Sequence, residues 1–320
     1  MSGICNLGCM ATKIIASGSF LPEKIVTNAD LSKIVDTTDE WIVQRTGINE
    51  RRIAQEGELV SDMGAKALTS ALKSANISPL ELDAIILATT TPDLKFPATA
   101  CIIQDKVGAK NAFAFDVQAV CSGFVYAISI ADSFIKSGKS KKIAVIGAEK
   151  LSSIINWQDR STCVLFSDGA GAVILSQEEN NSSGILDWKL HSNGALSEIL
   201  RTDKDSFITM NGREVFKYAT NAFATGLMNI LEKNNLKSQD LSAVLLHQAN
   251  SRIAAYVAEK LGLPLSLFPM TLHKYGNNSA ATIPILFDEC MRAGRFKNGD
   301  IIAIQAVGGG MTDGSLLYKF

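Results

Sequence analysis

Three side chains in this sequence could act together on a carbonyl carbon: Cys121, His247 and Asn277. A thiol can become a nucleophile that holds a covalent intermediate. An imidazole is a base or a hydrogen-bond donor, and a primary amide is a neutral donor. Cys121 ends the run AFAFDVQAVC and precedes a helical pattern, Gly123–Ser137, that a glycine closes at Gly138. Helix starts offer free N–H groups and partial positive charge, so a lowered thiol pKa is expected there. Ser122 and Gly123 are small and leave an approach open. An isolated cysteine is more often a small core hydrophobe. That blander reading suits Cys101, Cys163 and Cys290, which sit in apolar or helical patterns. His247 closes a strand in HQAN, and Asn277 lies in YGNNSAAT. Neither stretch is specific alone; their placement carries the argument. Gly308, Gly309 and Gly310 follow a late strand with no lysine and helix after them, which argues against a phosphate loop. They read as a plain turn, or as a loop whose backbone comes close to a reacting group and supplies an oxyanion-hole N–H.

The elements that must position these residues alternate between strand and helix patterns, as in an α/β sheet protein. Strands are expected at Ala84–Thr90, Ala112–Val117, Lys142–Ala148, Ala170–Leu175, Ala243–His247 and Ile301–Ala306, and a further helix at Ile253–Leu261 before Gly262. The chain also resembles itself. DAIILAT at 83–89 answers to SAVLLHQ at 242–248, and IKSG at 135–138 to MRAG at 291–294. Gly138 to Gly294 and Cys121 to Asn277 are both 156 positions, whereas the first strand pair is 159 apart. Solenoid repeats run about 20–50 residues. A repeat of half the chain instead implies two stacked α/β halves, placed at 11–180 and 181–320 after a loose extension at 1–10. On this alignment Cys121 and Asn277 occupy equivalent strand-to-helix corners, where α/β proteins place their chemistry.

Composition narrows the class. With 320 residues and 47% hydrophobic content, the chain can bury a large core. Its 31 basic and 32 acidic residues balance, which gives no support for nucleic-acid binding. No apolar run reaches the roughly 18 residues of a membrane span. MSGICNLGCM lacks the basic start and long apolar core of a signal peptide. The six cysteines form no CxxC pair and read as reduced thiols of a cytoplasmic protein, with Cys5 and Cys9 given no function. Three histidines, at 191, 247 and 273, make a multi-histidine metal site improbable.

Over residues 11–320 the sequence resembles the β-ketoacyl-acyl-carrier-protein synthase III family of thiolase-fold condensing enzymes. The resemblance rests on TNADLSKIVDTTDEWIVQRTGI, FDVQAVCSGF, DRSTCVLFSDGAGAV, MNGREVF, HQANSRI, YGNNSAAT and GGGMTDGS. It implies an α-β-α-β-α layered fold of two pseudo-symmetric halves and a catalytic set of Cys121, His247 and Asn277, with oxyanion N–H groups from Cys121 and Gly309. It also implies coenzyme A contacts from Trp41 and Arg160 at the adenine and from Arg45, Gly212 and Asn250 along the pantetheine. Acyl-carrier-protein docking would fall on Lys217, Arg252 and Lys260, with Arg213 beside them. Phe96 would cap the acyl pocket of a partner subunit in a homodimer, near Val307. No metal or organic cofactor is implied. The activity implied is decarboxylative condensation of a short acyl-CoA, acetyl-CoA by preference, with malonyl-carrier protein through acyl-Cys121. The alternative is a relative that uses a longer or branched primer in a specialised pathway. A biosynthetic thiolase would need a second cysteine near the C-terminal glycines, and elongating synthases resemble a Cys-His-His arrangement. A cysteine hydrolase would release a free acid, and a carrier-binding protein without activity would need no nucleophile corner. Three departures from the family pattern stand out: Val307 before the glycines, Asp313 where tryptophan is common, and Glu259 beside Lys260. The first two are expected to alter the acyl-pocket wall, and the third the docking strength.

Overall fold

A computed structural model of the chain describes residues 10–179, 183–202 and 207–320. The reading of residues 1–9 as an extension, with Cys5 and Cys9, lies outside the described residues. The two main sheets are built from β1 (Ala11–Phe20), β2 (Ala84–Ala88), β3 (Phe113–Val117), β4 (Lys142–Lys150), β5 (Asp168–Glu178), β6 (Gly184–Ser192), β7 (Leu241–Leu246), β8 (Ile301–Gly308) and β9 (Thr312–Lys319). The helices that matter to the site are α1 (Asp39–Thr46), α2 (Val60–Ser74), α3 (Thr99–Val107), α4 (Gly123–Lys136), α5 (Gly212–Lys233), α6 (Ser251–Leu261) and α7 (Thr282–Arg292).

The first sheet runs β1-β5-β4-β2-β3 and the second β6-β9-β8-β7, the same order with one strand fewer. Pairing directions repeat as well. β2 and β4 are parallel, as are β7 and β8, while β5 and β9 each run antiparallel to both neighbours; the edge strand β3, which has no counterpart in the second sheet, is parallel to β2. Central parallel strands are covered on both faces, which is why AIILA in β2 is an unbroken apolar run with every residue buried. α2 and α3 cover one face of the first sheet, contributing Leu68 and Ile103 beside Ile85 and Ile146. α4 and α7 lie between the sheets, with Phe124, Ile128, Ile283 and Phe287 in one core with Ile86 and Ile304. α5 and α6 close the second sheet with Phe223, Leu227 and Val257 over Val244 and Ala303. Five layers, α-β-α-β-α, result.

The structure corrects the register of the repeat. α7 starts 159 positions after α4, and β8 starts 159 positions after β4. A 156-residue offset holds only at the helix ends, because α7 has 11 residues against 14 in α4 and the loop that follows it is longer. Each inner helix is preceded by a short 3-10 turn, Val120–Ser122 in one half and Ser279–Ala281 in the other. Both turns open with a non-glycine residue at φ +48°. Cys121 is therefore equivalent to Ala280. Asn277 lies three positions earlier, on the strand side of its corner.

Candidate active site

Cys121 sits at the middle of the first turn, 5% exposed, immediately before α4. Val120 is β-branched and held at positive φ, a conformation that costs about 1–3 kcal/mol and persists only where its surroundings impose it. Those surroundings are visible. The Ser122 hydroxyl contacts the Ala119 carbonyl at 2.7 Å and the Thr312 hydroxyl at 2.8 Å, and Thr312 Oγ1 lies 3.2 Å from the carbonyls of Ala119 and Gly309. The tip of the β8–β9 hairpin thus clasps the cysteine turn. Of its glycines, Gly308 abuts the turn: a Cβ there would lie 2.7 Å from the Cys121 nitrogen. Gly309 packs instead against Leu200 and Val120.

The expected lowering of the thiol pKa is not found. Burial pushes Cys121 up to about 12, the nearby Glu149 carboxylate adds to the rise, and the Ser279 hydroxyl opposes it. Removal from water disfavours the thiolate. The thiol form is therefore the resting one.

His247 and Asn277, 6% and 5% exposed, share with Cys121 the wall of a cavity of about 140 Å³. His247 follows β7, its N–H bonded to the Gln305 carbonyl at 2.8 Å and its Nδ1 2.7 Å from Thr282 Oγ1. Burial lowers its pKa to about 3, so the ring is neutral at ordinary pH. Asn277 Oδ1 accepts the Ser279 N–H at 2.9 Å, which leaves the two amide N–H bonds as its free end. A second chamber of about 150 Å³ also reaches Cys121, lined by Thr90, Leu151, Ile154, Phe166 and Ser279 among others.

Three residues at this centre were missed in the sequence. Ser279, at positive φ, has a buried hydroxyl with no conventional hydrogen bond, placed where it lowers the pKa of both Cys121 and Glu149. Glu149, fully buried at the end of β4, accepts from Thr90 N–H at 3.0 Å and Thr91 Oγ1 at 2.7 Å, and burial raises its pKa. Thr282 contacts His247. Glu149 had a signal, an acid closing the apolar run IAVIGAE. The backbone conformation at Ser279 had none.

The remaining candidate residues divide. Val307, Gly212 and Asn250 line the Cys121–His247–Asn277 cavity. Asn250 also caps α6, with Oδ1 accepting from Arg252 N–H and Nδ2 donating to the Arg45 carbonyl, both at 2.9 Å. Trp41 carries two guanidinium groups, Arg160 at 4.8 Å and Arg45 at 4.6 Å from its ring centroid. Arg45 lies one turn beyond Trp41 on α1, between that ring and the channel-lining Asn250. Lys217, Arg252, Lys260 and Arg213 are exposed on α5 and α6. Phe96 is 84% exposed and lines neither chamber of its own chain.

Two further expectations are corrected. Asp313 does not line the Cys121 chambers. It accepts from Tyr218 Oη at 2.8 Å, lies 2.9 Å from His191 Nδ1, and borders a separate polar cavity. Cys101 is exposed on α3 rather than packed, its thiol 3.4 Å from the Ala114 carbonyl. Among the described residues no helix is long and apolar enough to cross a membrane.

A layered pair of like sheets thus encloses a buried cysteine, histidine and asparagine around one cavity. Comparison with known proteins gives the family. The 3-oxoacyl-[acyl-carrier-protein (ACP)] synthase III model matches residues 115–194, and its C-terminal model matches residues 231–320. The β-ketoacyl-[acyl-carrier-protein] synthase III of Aquifex aeolicus is 51% identical over 311 residues, covering 97% of this chain and all of the relative. The crystal structure of the Aquifex aeolicus 3-oxoacyl-[acyl-carrier-protein] synthase III superposes with a TM-score of 0.94, at 97% coverage of this chain and 100% of that one. The corresponding Thermus thermophilus structure, 38% identical, gives 0.93 over 96% of this chain and 99% of that one. The chain belongs to the 3-oxoacyl-[acyl-carrier-protein] synthase III family.

Proposed function

We propose that the chain initiates fatty acid synthesis by condensing a short acyl-CoA, acetyl-CoA by preference, with malonyl-carrier protein, and that Cys121, His247 and Asn277 perform the chemistry. The observation that carries this reading is the single cavity the three share, with Cys121 also facing a second chamber able to hold an acyl group. The Cys121 sulfur attacks the thioester carbonyl, and the N–H groups of Cys121 and Gly309 receive the oxyanion. The carbon–sulfur bond to coenzyme A breaks, and the thiol proton leaves on coenzyme A. The malonyl thioester then enters, and its carbonyl accepts hydrogen bonds from His247 and Asn277. Loss of carbon dioxide pushes charge onto that oxygen, where placed donors favour the enolate over the ground state. The enolate carbon attacks the acyl-Cys121 carbonyl, and the departing cysteine sulfur takes up a proton.

Trp41 and Arg160 would hold the nucleotide end of coenzyme A, with Arg45, Gly212 and Asn250 along the pantetheine. An acidic carrier protein would dock on Lys217, Arg252 and Lys260. The exposure of Phe96 supports a homodimer in which it closes the partner subunit's acyl chamber. No metal or organic cofactor enters these steps. We place the enzyme in the cytoplasm, and we retain the division into halves at 11–180 and 181–320. The test is release of carbon dioxide from malonyl-carrier protein in the presence of acetyl-CoA, with an acyl adduct mapped to the Cys121 peptide. Free acid without carbon dioxide, or an adduct that persists in Cys121→Ala, would reject it.

A further inference from the structure

Thr282 has one hydroxyl proton and two acceptors within reach. Its Oγ1 lies 2.7 Å from His247 Nδ1 and 3.0 Å from the Ser279 carbonyl. The Ser279 carbonyl already accepts the backbone N–H of Thr282, the cap of the 3-10 turn. Hydroxyl donors prefer separations of about 2.7–2.8 Å, so the shorter contact is the better bond. The carbonyl does not need the hydroxyl. The imidazole nitrogen has a use for it: with Nδ1 accepting, a neutral ring carries its proton on Nε2.

We propose that Thr282 is a positioning residue that holds His247 in the Nε2–H tautomer, making the imidazole a fixed hydrogen-bond donor in this cavity. The chemistry of the neighbouring amide agrees. Asn277 Oδ1 is occupied by the Ser279 N–H, so Asn277 presents N–H groups. A substrate oxygen that accepts from Asn277 would be repelled by a bare Nε2 lone pair and is bound by Nε2–H. Ser279 thus orients both donors, Asn277 through its N–H and His247 through the Thr282 that caps its carbonyl. His247 in this tautomer does not receive the Cys121 proton. During acylation the Cys121 sulfur–carbon bond forms, the coenzyme A carbon–sulfur bond breaks, and the proton ends on the coenzyme A sulfur.

The inference rests on the reading of His247 as a donor to the malonyl carbonyl, and the experiments separate the two. The chain has three histidines, so ¹⁵N-histidine labelling with His247→Gln as the assignment control resolves the ring of interest. The full-length wild type should show His247 with a bare Nδ1 and a protonated Nε2. Thr282→Val should shift that ring toward the other tautomer. It should also lower kcat for decarboxylation on the order of 10–100-fold, as losing the outer partner of a working imidazole does, with acylation by acetyl-CoA unchanged. Thr282→Ser keeps the hydroxyl and should restore both signals and rate, which a purely structural role of the methyl group would not allow. A wild-type ring protonated on Nδ1 overturns the proposal even if Thr282→Val fails to fold. So does a folded Thr282→Val with unchanged tautomer and rate. If His247→Ala decarboxylates normally, the donor reading itself falls, whatever the spectrum shows for Thr282.

Discussion

Substituting Gly308 by alanine tests whether the hairpin tip sets the geometry of the nucleophile. The added Cβ would lie 2.7 Å from the Cys121 nitrogen, 2.8 Å from the Ala119 carbonyl oxygen and 2.9 Å from the Ser122 nitrogen. Ordinary contact begins at 3.4 Å, so the overlap is about 0.5–0.7 Å against three backbone atoms. No side chain can swing aside. The hairpin and the cysteine turn must part, at a stability cost of about 1–3 kcal/mol as for other overpacked sites. A misplacement of about 1 Å costs roughly 100-fold in rate. Gly308→Ala should therefore acylate on the order of 10–100-fold more slowly, read by intact-protein mass spectrometry after timed exposure to acetyl-CoA. Gly194→Ala is the control outside both chambers, since a Cβ there would meet nothing within 4 Å. Acylation of a folded Gly308→Ala at the wild-type rate would refute the reasoning.

Asn277→Ala should still form the acyl-enzyme yet lose carbon dioxide release by about 100-fold or more, the usual cost of one such donor; normal release would remove its assigned role. Arg252→Glu, a charge reversal on an exposed helix start, should weaken use of malonyl-carrier protein while sparing acylation from acetyl-CoA. Equal loss in both half-reactions would instead point to folding or coenzyme A binding. Val307 lines the Cys121–His247–Asn277 cavity and not the second chamber, so Val307→Phe narrows the passage to Cys121 and should shift kcat/KM ratios toward acetyl-CoA over butyryl-, isobutyryl- and octanoyl-CoA. An unchanged ratio would clear Val307 of any part in primer choice. Stability should also depend on pH through His247. Its folded pKa, near 3, lies below the unfolded value near 6.5, so between these the unfolded chain binds a proton the native one lacks. Stability contributed by the neutral ring is then present above pH 6.5 and falls as pH drops, by up to about 1.4 kcal/mol per unit. The urea midpoint should fall less in His247→Gln than in wild type between pH 7 and 5.

Much of the architecture was legible because buried parallel strands are written as apolar runs. AIILA, KIAVIGA and IIAIQA each mark a central strand, and glycines end the helices between them. The register of the repeat was harder. α7 is three residues shorter than α4, so counting from the helix ends gave 156 and matched Cys121 with Asn277. Counting from the strand starts would have given 159 and Ala280. The helix field is legible in the sequence, but the depth of burial that pushes the thiol pKa the other way is not. Asp313 was assigned to the acyl wall by its neighbours in the chain, but its partners, Tyr218 and His191, come from elements about 100 residues away that no local pattern reveals. The positive φ angles at Val120 and Ser279 have no signature in side-chain type at all.

The missing side chain at Gly147 governs more than packing. A Cβ there would lie 2.3 Å from the Ala280 carbonyl oxygen, so β4 touches the second turn backbone to backbone. Ser279, one residue away, is bonded to Asn277 and, through Thr282, to His247. The side chains of both donors are thus tied to one turn, seated on the strand that carries Glu149, while their backbones are held by other elements. Lifting α7 from β4 by a few tenths of an ångström would move Ser279 and Thr282 against donor backbones held by Gln305, Leu165 and Ser167, and so would turn both donor side chains. The aim of the donors is therefore also a property of the core, adjustable by residues such as Ala281 and Ile285 that line neither chamber.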